Sequence, residues 1–347
     1  RFRWVQLCLG FLKSFDCSQT IAHQKSTRIQ SSIRDMSILC PLSGSSKLVL
    51  KETIKVKKIA QLYRKLLKCD ISSEISGVET IGFYHCLDSD LKFFYPMMAG
   101  SEFLYRQLQR LDWYYLDEKE EYDYVSCHVK HTDELLEVGC GKGVFSQKIE
   151  VSSYTGLELS KDAIETASKN RIKIIDESVE EHSHANPEIY DVVCSFQVLE
   201  HVANPHSFID SCIKCLKPGG LLIFSVPSDD SFVGTLSNCI LNMPPHHVTR
   251  WSDRSLKYIA SMFNLKLIEI HHEPLAPFHR NSYAKQLVFK SLENLLGIRR
   301  KSVVFDLSLT YRVMSTISMI PAVLIARGLS DERLMPIGHS VTVVYQK

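Results

Sequence analysis

The sequence predicts an α/β chain built on a doubly wound, largely parallel sheet, and three observations carry that prediction. Short apolar runs recur between segments of helical periodicity, the pattern of strands covered on both faces. The stretch Leu135–Leu159, LLEVGCGKGVFSQKIEVSSYTGLEL, joins two such runs through a turn with alternating glycines, Gly139, Gly141 and Gly143. An acid, Glu158, closes the second run, about 20 residues past the turn and at the strand edge where such sheets meet ligands.

Composition bounds the rest. At 347 residues the chain can form two domains or one large one with extensions. A 45% hydrophobic and 23% charged composition is ordinary for a globular protein, and a net charge of +2 gives no argument for nucleic acid as a partner. Eleven cysteines without regular pairing favour a reducing, cytoplasmic setting over a disulfide framework. No stretch reaches the ~18–20 uninterrupted apolar residues of a membrane-spanning helix.

The elements follow in order. Residues 1–35, a short apolar run and then a Ser/Gln/Thr/Arg stretch, read as a disordered extension; a truncated targeting peptide is the alternative. Residues 36–98 form a compact N-terminal element with an amphipathic helix over 55–69, apolar at Ile59, Leu62, Leu66 and Leu67. Residues 99–130 read as a helical lid or linker, with an aromatic helix from Glu102 to about Glu121 carrying Phe103, Tyr105, Trp113, Tyr114 and Tyr115. The catalytic domain spans 131–347. Its strands are Leu135–Val138, Tyr154–Leu159, Ile172–Ile175, Tyr190–Phe196, Leu221–Val226, Leu265–Ile270 and Val341–Tyr345, seven in all. Ser160 is placed to cap the helix Lys161–Lys169, and Lys217-Pro218-Gly219-Gly220 forms a turn into the fifth strand. An insertion at about 275–338 holds an apolar segment, Val313–Ile325, read as a pocket cover or dimer contact, or as an interfacial patch for a lipid-linked substrate.

Only glycine turns sharply with positive φ and lets the backbone approach a ligand closely. The spacing here is G-x-G-x-G behind an acid, Glu137, whereas a dinucleotide site prefers G-x-G-x-x-G. With Glu137 and Glu158 both near, the site suits a positively charged nucleoside better than phosphates. The stretch E-V-G-C-G-K-G resembles motif I of the class I S-adenosylmethionine-dependent methyltransferases. YDVV, VLEHV and LKPGG-LLIFSVP are similar to further signature stretches of that family, in the same order over about 100 residues.

The resemblance implies a Rossmann-like, seven-stranded sheet and S-adenosylmethionine as cofactor, contacted by Glu137, Gly139, Gly141, Gly143, Glu158, Asp176 and Gln197. Methyl transfer from a sulfonium is an in-line displacement in which the protein positions the partners and deprotonates the acceptor. For a hydroxyl acceptor a histidine is the natural base. His247 stands where related small-molecule O-methyltransferases carry a histidine before a tryptophan. His201 follows the fourth strand, and His246 adjoins His247. The expected acceptor is a small molecule, a sugar or a lipid-linked compound. Peripheral membrane contact and oligomerisation through the insertion are compatible with that. The second reading is a non-catalytic protein of this fold acting as a binding partner, and the intact glycines and acids argue against it.

Two metal sites implied by resemblance are expected to be lost. Ubiquinone-pathway O-methyltransferases carry a similar E-x-x-E-H stretch associated with a divalent cation. Here it reads Gln197-x-x-Glu200-His201, and losing a carboxylate weakens a hard-cation site. Cys40-Pro41-Leu42-Ser43 and Cys86-Leu87-Asp88-Ser89 resemble the two knuckles of an N-terminal zinc ribbon in which serine replaces each second cysteine. A structural zinc needs four N or S ligands, and Cys69 and His85 are neighbours only in sequence.

Overall fold

The structure is a computed structural model, and it describes residues 38–111, 118–170, 172–300, 302, 304–329 and 335–347. The expectations for residues 1–35 and for Trp113, Tyr114 and Tyr115 lie outside these residues.

Seven strands form the main sheet: β4 (Glu134–Val138), β5 (Ser153–Leu157), β6 (Ile174–Ile175), β7 (Tyr190–Phe196), β8 (Leu216–Pro227), β10 (Lys266–Pro274) and β11 (Ile337–Gln346). Their order is β10-β11-β8-β7-β4-β5-β6. The pairs among β4 to β8 are parallel, and β11 runs antiparallel to both β8 and β10. This is the predicted doubly wound sheet, with β4 and β7 side by side at its centre. Leu135, Leu136, Val193, Cys194, Leu222, Ile223 and Phe224 are fully buried there, as strands covered on both faces require.

Helices cover the sheet where the sequence supplies caps. In α6 (Pro205–Cys215), Asn204 accepts from the Ser207 amide at 3.3 Å and Pro205 opens the first turn. Capping boxes start α5 (Val179–Ala185) at Ser178 and α7 (Asp253–Met262) at Ser252. The cap expected of Ser160 is not made. Ser160 precedes α4 (Lys161–Lys169), but its side chain makes no capping bond, and its amide is drawn instead to Glu158.

The segment after the glycine turn is a 3-10 turn, Phe145–Gln147. Two local expectations change. The aromatic helix is two short ones, α2 (Glu102–Gln109) and α3 (Glu120–Ser126). The Lys217–Gly220 stretch belongs to β8, with Gly219 at φ +81° beside a shift in register against β7.

The N-terminal element holds β1 (Leu48–Lys55), α1 (Val56–Leu66), β2 (Thr80–Cys86) and β3 (Lys92–Tyr95). Its sheet gains a fourth strand, β9 (Thr249–Arg250), from the long loop after β8. That loop is therefore held by the N-terminal sheet. Arg250 donates to the Asn242 carbonyl at 2.7 Å and its guanidinium lies over the rings of Phe83 and Phe94.

The four ribbon-like positions converge in two pairs. Cys40 Sγ lies 3.4 Å from the Ser89 hydroxyl, and Cys86 Sγ lies 3.6 Å from that of Ser43. Cys69 donates to the Leu67 carbonyl and His85 pairs with Asp90, so neither joins them. The insertion forms α8 (Arg280–Leu295), α9 (Leu309–Ile317) and α10 (Met319–Gly328).

Candidate active site

At the C-terminal end of β4 the chain turns through Gly139, Gly141 and Gly143 with φ of +74°, +54° and +75°. Side chains rarely tolerate that region. Gly139 has a second constraint, because a Cβ there would stand 2.4 Å from Cγ2 of Val198. The turn thus packs directly on the segment leaving β7. Gly139→Ala should cost about 1–3 kcal/mol from backbone strain alone. A lowered thermal midpoint together with weakened nucleoside binding would show it, and an unchanged midpoint would refute the tight packing.

Glu158, one residue beyond β5, fixes the other wall. Its carboxylate accepts from the amides of Gly141 at 2.9 Å, Leu159 at 2.8 Å and Ser160 at 2.8 Å. Oε2 takes only the Gly141 bond, so it retains a lone pair for a ligand hydroxyl.

The turn opens on a cavity of about 1680 Å³. Gly139, Gly141, Glu158, Ser178 and Val179 line one part of it, and Gln197, His201, His246 and His247 another. Tyr105 of α2 closes against the histidines, its ring edge-on to His201 at 5.6 Å. Pro277, Phe278 and Arg280 bring the start of the insertion to the same cavity.

The three candidate histidines form one cluster. Their ring centroids lie 4.6 Å (His201–His246), 4.8 Å (His201–His247) and 4.5 Å (His246–His247) apart. His201 Nδ1 donates to the His246 carbonyl at 2.6 Å, His246 Nδ1 to the Leu241 carbonyl at 2.8 Å, and His247 Nδ1 to Asn242 Oδ1 at 3.2 Å. Carbonyl oxygens only accept, so each Nδ1 carries the proton and each Nε2 keeps its lone pair. Burial holds the His201 imidazole down at about 4 and those of His246 and His247 well below the ordinary range, with the neighbouring imidazoles adding to it for the last two. All three rings are neutral at physiological pH.

Glu200 stands beneath them, 1% exposed. Its Oε1 lies 3.8 Å from Nε2 of His201 and 3.9 Å from Nε2 of His247, and neither oxygen has a hydrogen-bond partner among the described residues. Burial pushes its carboxyl up to about 8.

Three of the expected cofactor contacts need correction. Glu137 is buried away from the cavity wall, where Tyr154 donates to it at 2.6 Å, and burial raises its carboxyl to about 8 against that bond. A β-strand alternates its faces, and this position points under the turn rather than over it. Asp176 is exposed and does not line the cavity; the next residue, Glu177, does, while paired with His182. Gly143 shapes the turn without reaching the cavity surface. Gln197 lines the cavity but donates to Glu121 at 2.8 Å and to Ser340 at 3.2 Å.

Sequence reasoning missed several acids that line the cavity, among them Glu121 and Glu273. Glu273 accepts from the amides of His339 at 2.8 Å and Ser340 at 3.0 Å, and burial lifts its carboxyl to about 7. Neither sits in a motif. Glu121 lies within the expected lid or linker, at the end of its aromatic helix, and Glu273 lies past the expected end of its strand, so no local pattern marks them.

Comparison with known proteins finds similarity over the central part of the chain. Residues 101–270 match the family model described as "Methyltransferase domain". The chain carries a methyltransferase domain over these residues. It is 40% identical over 99 residues to a ubiquinone biosynthesis O-methyltransferase of Vibrio cholerae, which covers 26% of this chain and 40% of that protein. It is 36% identical over 99 residues to the protein of the same description from Pectobacterium carotovorum, covering 26% and 41%. The chain thus spans about two fifths of the length of the curated relatives it matches. Among solved structures, a SAM dependent methyltransferase from Archaeoglobus fulgidus aligns with a TM-score of 0.41 and 15% identity over 65% of this chain and 94% of that one.

Proposed function

We propose that this protein transfers a methyl group from S-adenosylmethionine to a hydroxyl of a small, lipid-linked acceptor. The observation that carries the reading is that the glycine turn with Glu158 and the histidine cluster with Glu200 line one cavity. Glu158 Oε2 would take the ribose hydroxyl. Glu121, Glu200 and Glu273 line the cavity, and the carboxyls of Glu200 and Glu273, lifted by burial to about 8 and about 7, would ionise more readily with a sulfonium cation beside them. Gln197, tied to Glu121, would face the methionine portion of the cofactor. The acceptor hydroxyl would lie against His201, His246 and His247, where its proton is given up. In this reading residues 99–130 act as the lid and 36–98 as the element that anchors the histidine loop through β9. Incubation with methyl-labelled S-adenosylmethionine and phenolic, sugar and lipid-linked hydroxyl compounds tests it; labelled product from none of them would refute it.

The lipid-linked acceptor rests on the insertion. Leu295, Leu296, Leu309, Ile317, Ile320 and Leu324 are exposed, Ile320 by 78% and Leu309 by 73%. Residues 280–329 hold eight Lys and Arg against Glu293 and Asp306, a local charge of +6 in a chain of net +2. Apolar side chains on a basic surface suit the interface of an anionic bilayer. No single helix among the described residues is long and apolar enough to cross a membrane; α9 and α10 reach that length and hydropathy only together, bent by 42° at their junction, and the contact proposed for them is peripheral. Vesicles containing phosphatidylglycerol should sediment the protein, neutral phosphatidylcholine vesicles much less, and Ile320→Glu with Leu324→Glu should abolish binding. Equal binding by the double variant would refute the contact. Loss of a dimer in that variant, with no vesicle binding by the wild type, would assign the face to a second copy.

A further inference from the structure

We propose that Arg280 binds an anionic group of the acceptor, a carboxylate or a phosphate, where the insertion meets the cavity. Calling that group part of the acceptor rests on the methyl-transfer reading; the anion site itself does not. Arg280 lines the cavity and is the first residue of α8. Its Nε is closed off from solvent and has no hydrogen-bond partner among the described residues, and no carboxylate there pairs with the guanidinium. A buried donor left unbonded costs free energy, the more so on a charged group, unless a ligand supplies the acceptor. Helix stability does not account for the residue. A cation in the first turn opposes the positive end of the helix dipole, and α8 has neither an acid in that turn nor a side-chain cap. The guanidinium and the helix end therefore favour an anion at the same place.

The other groups that could carry positive charge at the cavity are otherwise placed. Lys119 lies 3.4 Å from Glu121, and Lys142 sits between Gly141 and Gly143 in the glycine turn. The rings of His279 and His339 stack with centroids 5.4 Å apart. Burial holds them at about 3 and about 4, so neither is charged at physiological pH. Arg280 is thus the lasting positive charge on this part of the wall among the described residues. Val233, Leu236, Leu275 and Met335 cluster together and line the cavity too. An ion pair formed against apolar walls is screened less than one in water. The planar fork of a guanidinium matches two oxygens of a carboxylate or a phosphate. His339, stacked on the neighbour of Arg280, is close enough to His247 to depress its basicity. One molecule with an anion at one end, an apolar body and a hydroxyl would reach from Arg280 to the histidines. Neutral sugars and plain phenols lack the group that Arg280 selects.

The test is titration calorimetry on the full chain with decyl phosphate, decanoate and neutral decyl glucoside, each kept below its micelle concentration. Both anions should bind once per chain and more tightly than the glucoside. Arg280→Gln should weaken both anions by ~10–100-fold and leave the glucoside unchanged. Arg280→Lys keeps the charge and loses the fork, so it should weaken them less. Lys169→Gln, which removes an exposed cation of α4, should change nothing. Tighter binding of decyl phosphate assigns the site to a phosphate-bearing lipid, and tighter binding of decanoate to a carboxylate-bearing one. In transfer assays Arg280→Gln should raise KM for an anionic acceptor by the same factor and leave kcat nearly unchanged. Should Arg280→Gln fold poorly, Arg280→Lys and the wild type decide, since anion affinity should fall as salt rises while that for the glucoside holds. No preference for the anions over the glucoside, or equal anion affinity in the Arg280 variants, would overturn the site. A chain that methylates a hydroxyl acceptor yet shows no such preference loses this inference and keeps the methyl-transfer reading. One that binds the anions through Arg280 and methylates nothing does the reverse.

Discussion

Replacing His247 with alanine is expected to lower kcat by ~10²–10⁴-fold and to leave the affinity for S-adenosylmethionine nearly unchanged. His247 belongs to the histidine end of the cavity, apart from the glycine turn and Glu158. Asn242 orients its ring, and burial with the adjoining imidazoles keeps it neutral. The deficit should shrink as pH rises, because the acceptor hydroxyl then ionises unaided. Near-wild-type kcat in the variant would demote His247 to a loop residue and make His201 the next to replace. The same burial has a stability consequence. A histidine whose pKa is depressed by folding takes up its proton more readily when unfolded, so its contribution is full above the ordinary value of 6.5 and is lost as pH falls towards the folded values. Unfolding midpoints should therefore drop below about pH 6.5 in the wild type.

Glu158→Ala should weaken S-adenosylmethionine by ~1.5–3 kcal/mol, about 10- to 150-fold, the usual worth of a hydrogen bond to a charged group. The variant also releases the amides of Gly141, Leu159 and Ser160, so part of the loss reports a looser turn. Glu158→Gln separates the two contributions, since an amide oxygen can still accept from Gly141. Titration calorimetry reads both, and unchanged affinity in the alanine variant would remove the ribose assignment.

What the sequence made legible is local. The glycine turn, Glu158 and the strand runs declare themselves because apolar periodicity, glycine spacing and strand-end acids are properties of neighbouring residues. The sheet followed from them, and all seven expected strands overlap strands of the main sheet. The site's far wall was less legible. His201 and His246–His247 lie about 45 residues apart, and what joins them is the loop after β8 returning to the segment after β7, where the Val248 amide donates to the Glu200 carbonyl and His201 to the His246 carbonyl, long-range bonds with no periodicity to announce them. Glu137 shows the opposite failure. Its place beside the glycines suggested a ligand contact, but the strand's alternation turns it under the turn onto Tyr154.

The central claim is tested most directly by giving the purified chain methyl-labelled S-adenosylmethionine and a panel of hydroxyl acceptors presented in anionic vesicles. The account predicts one bound S-adenosylmethionine per chain and label transferred to an acceptor oxygen, both lost in Gly139→Ala and only the transfer lost in His247→Ala. A chain that binds S-adenosylmethionine tightly and transfers label to no acceptor would contradict it, and would leave a methyltransferase fold serving as a binding protein.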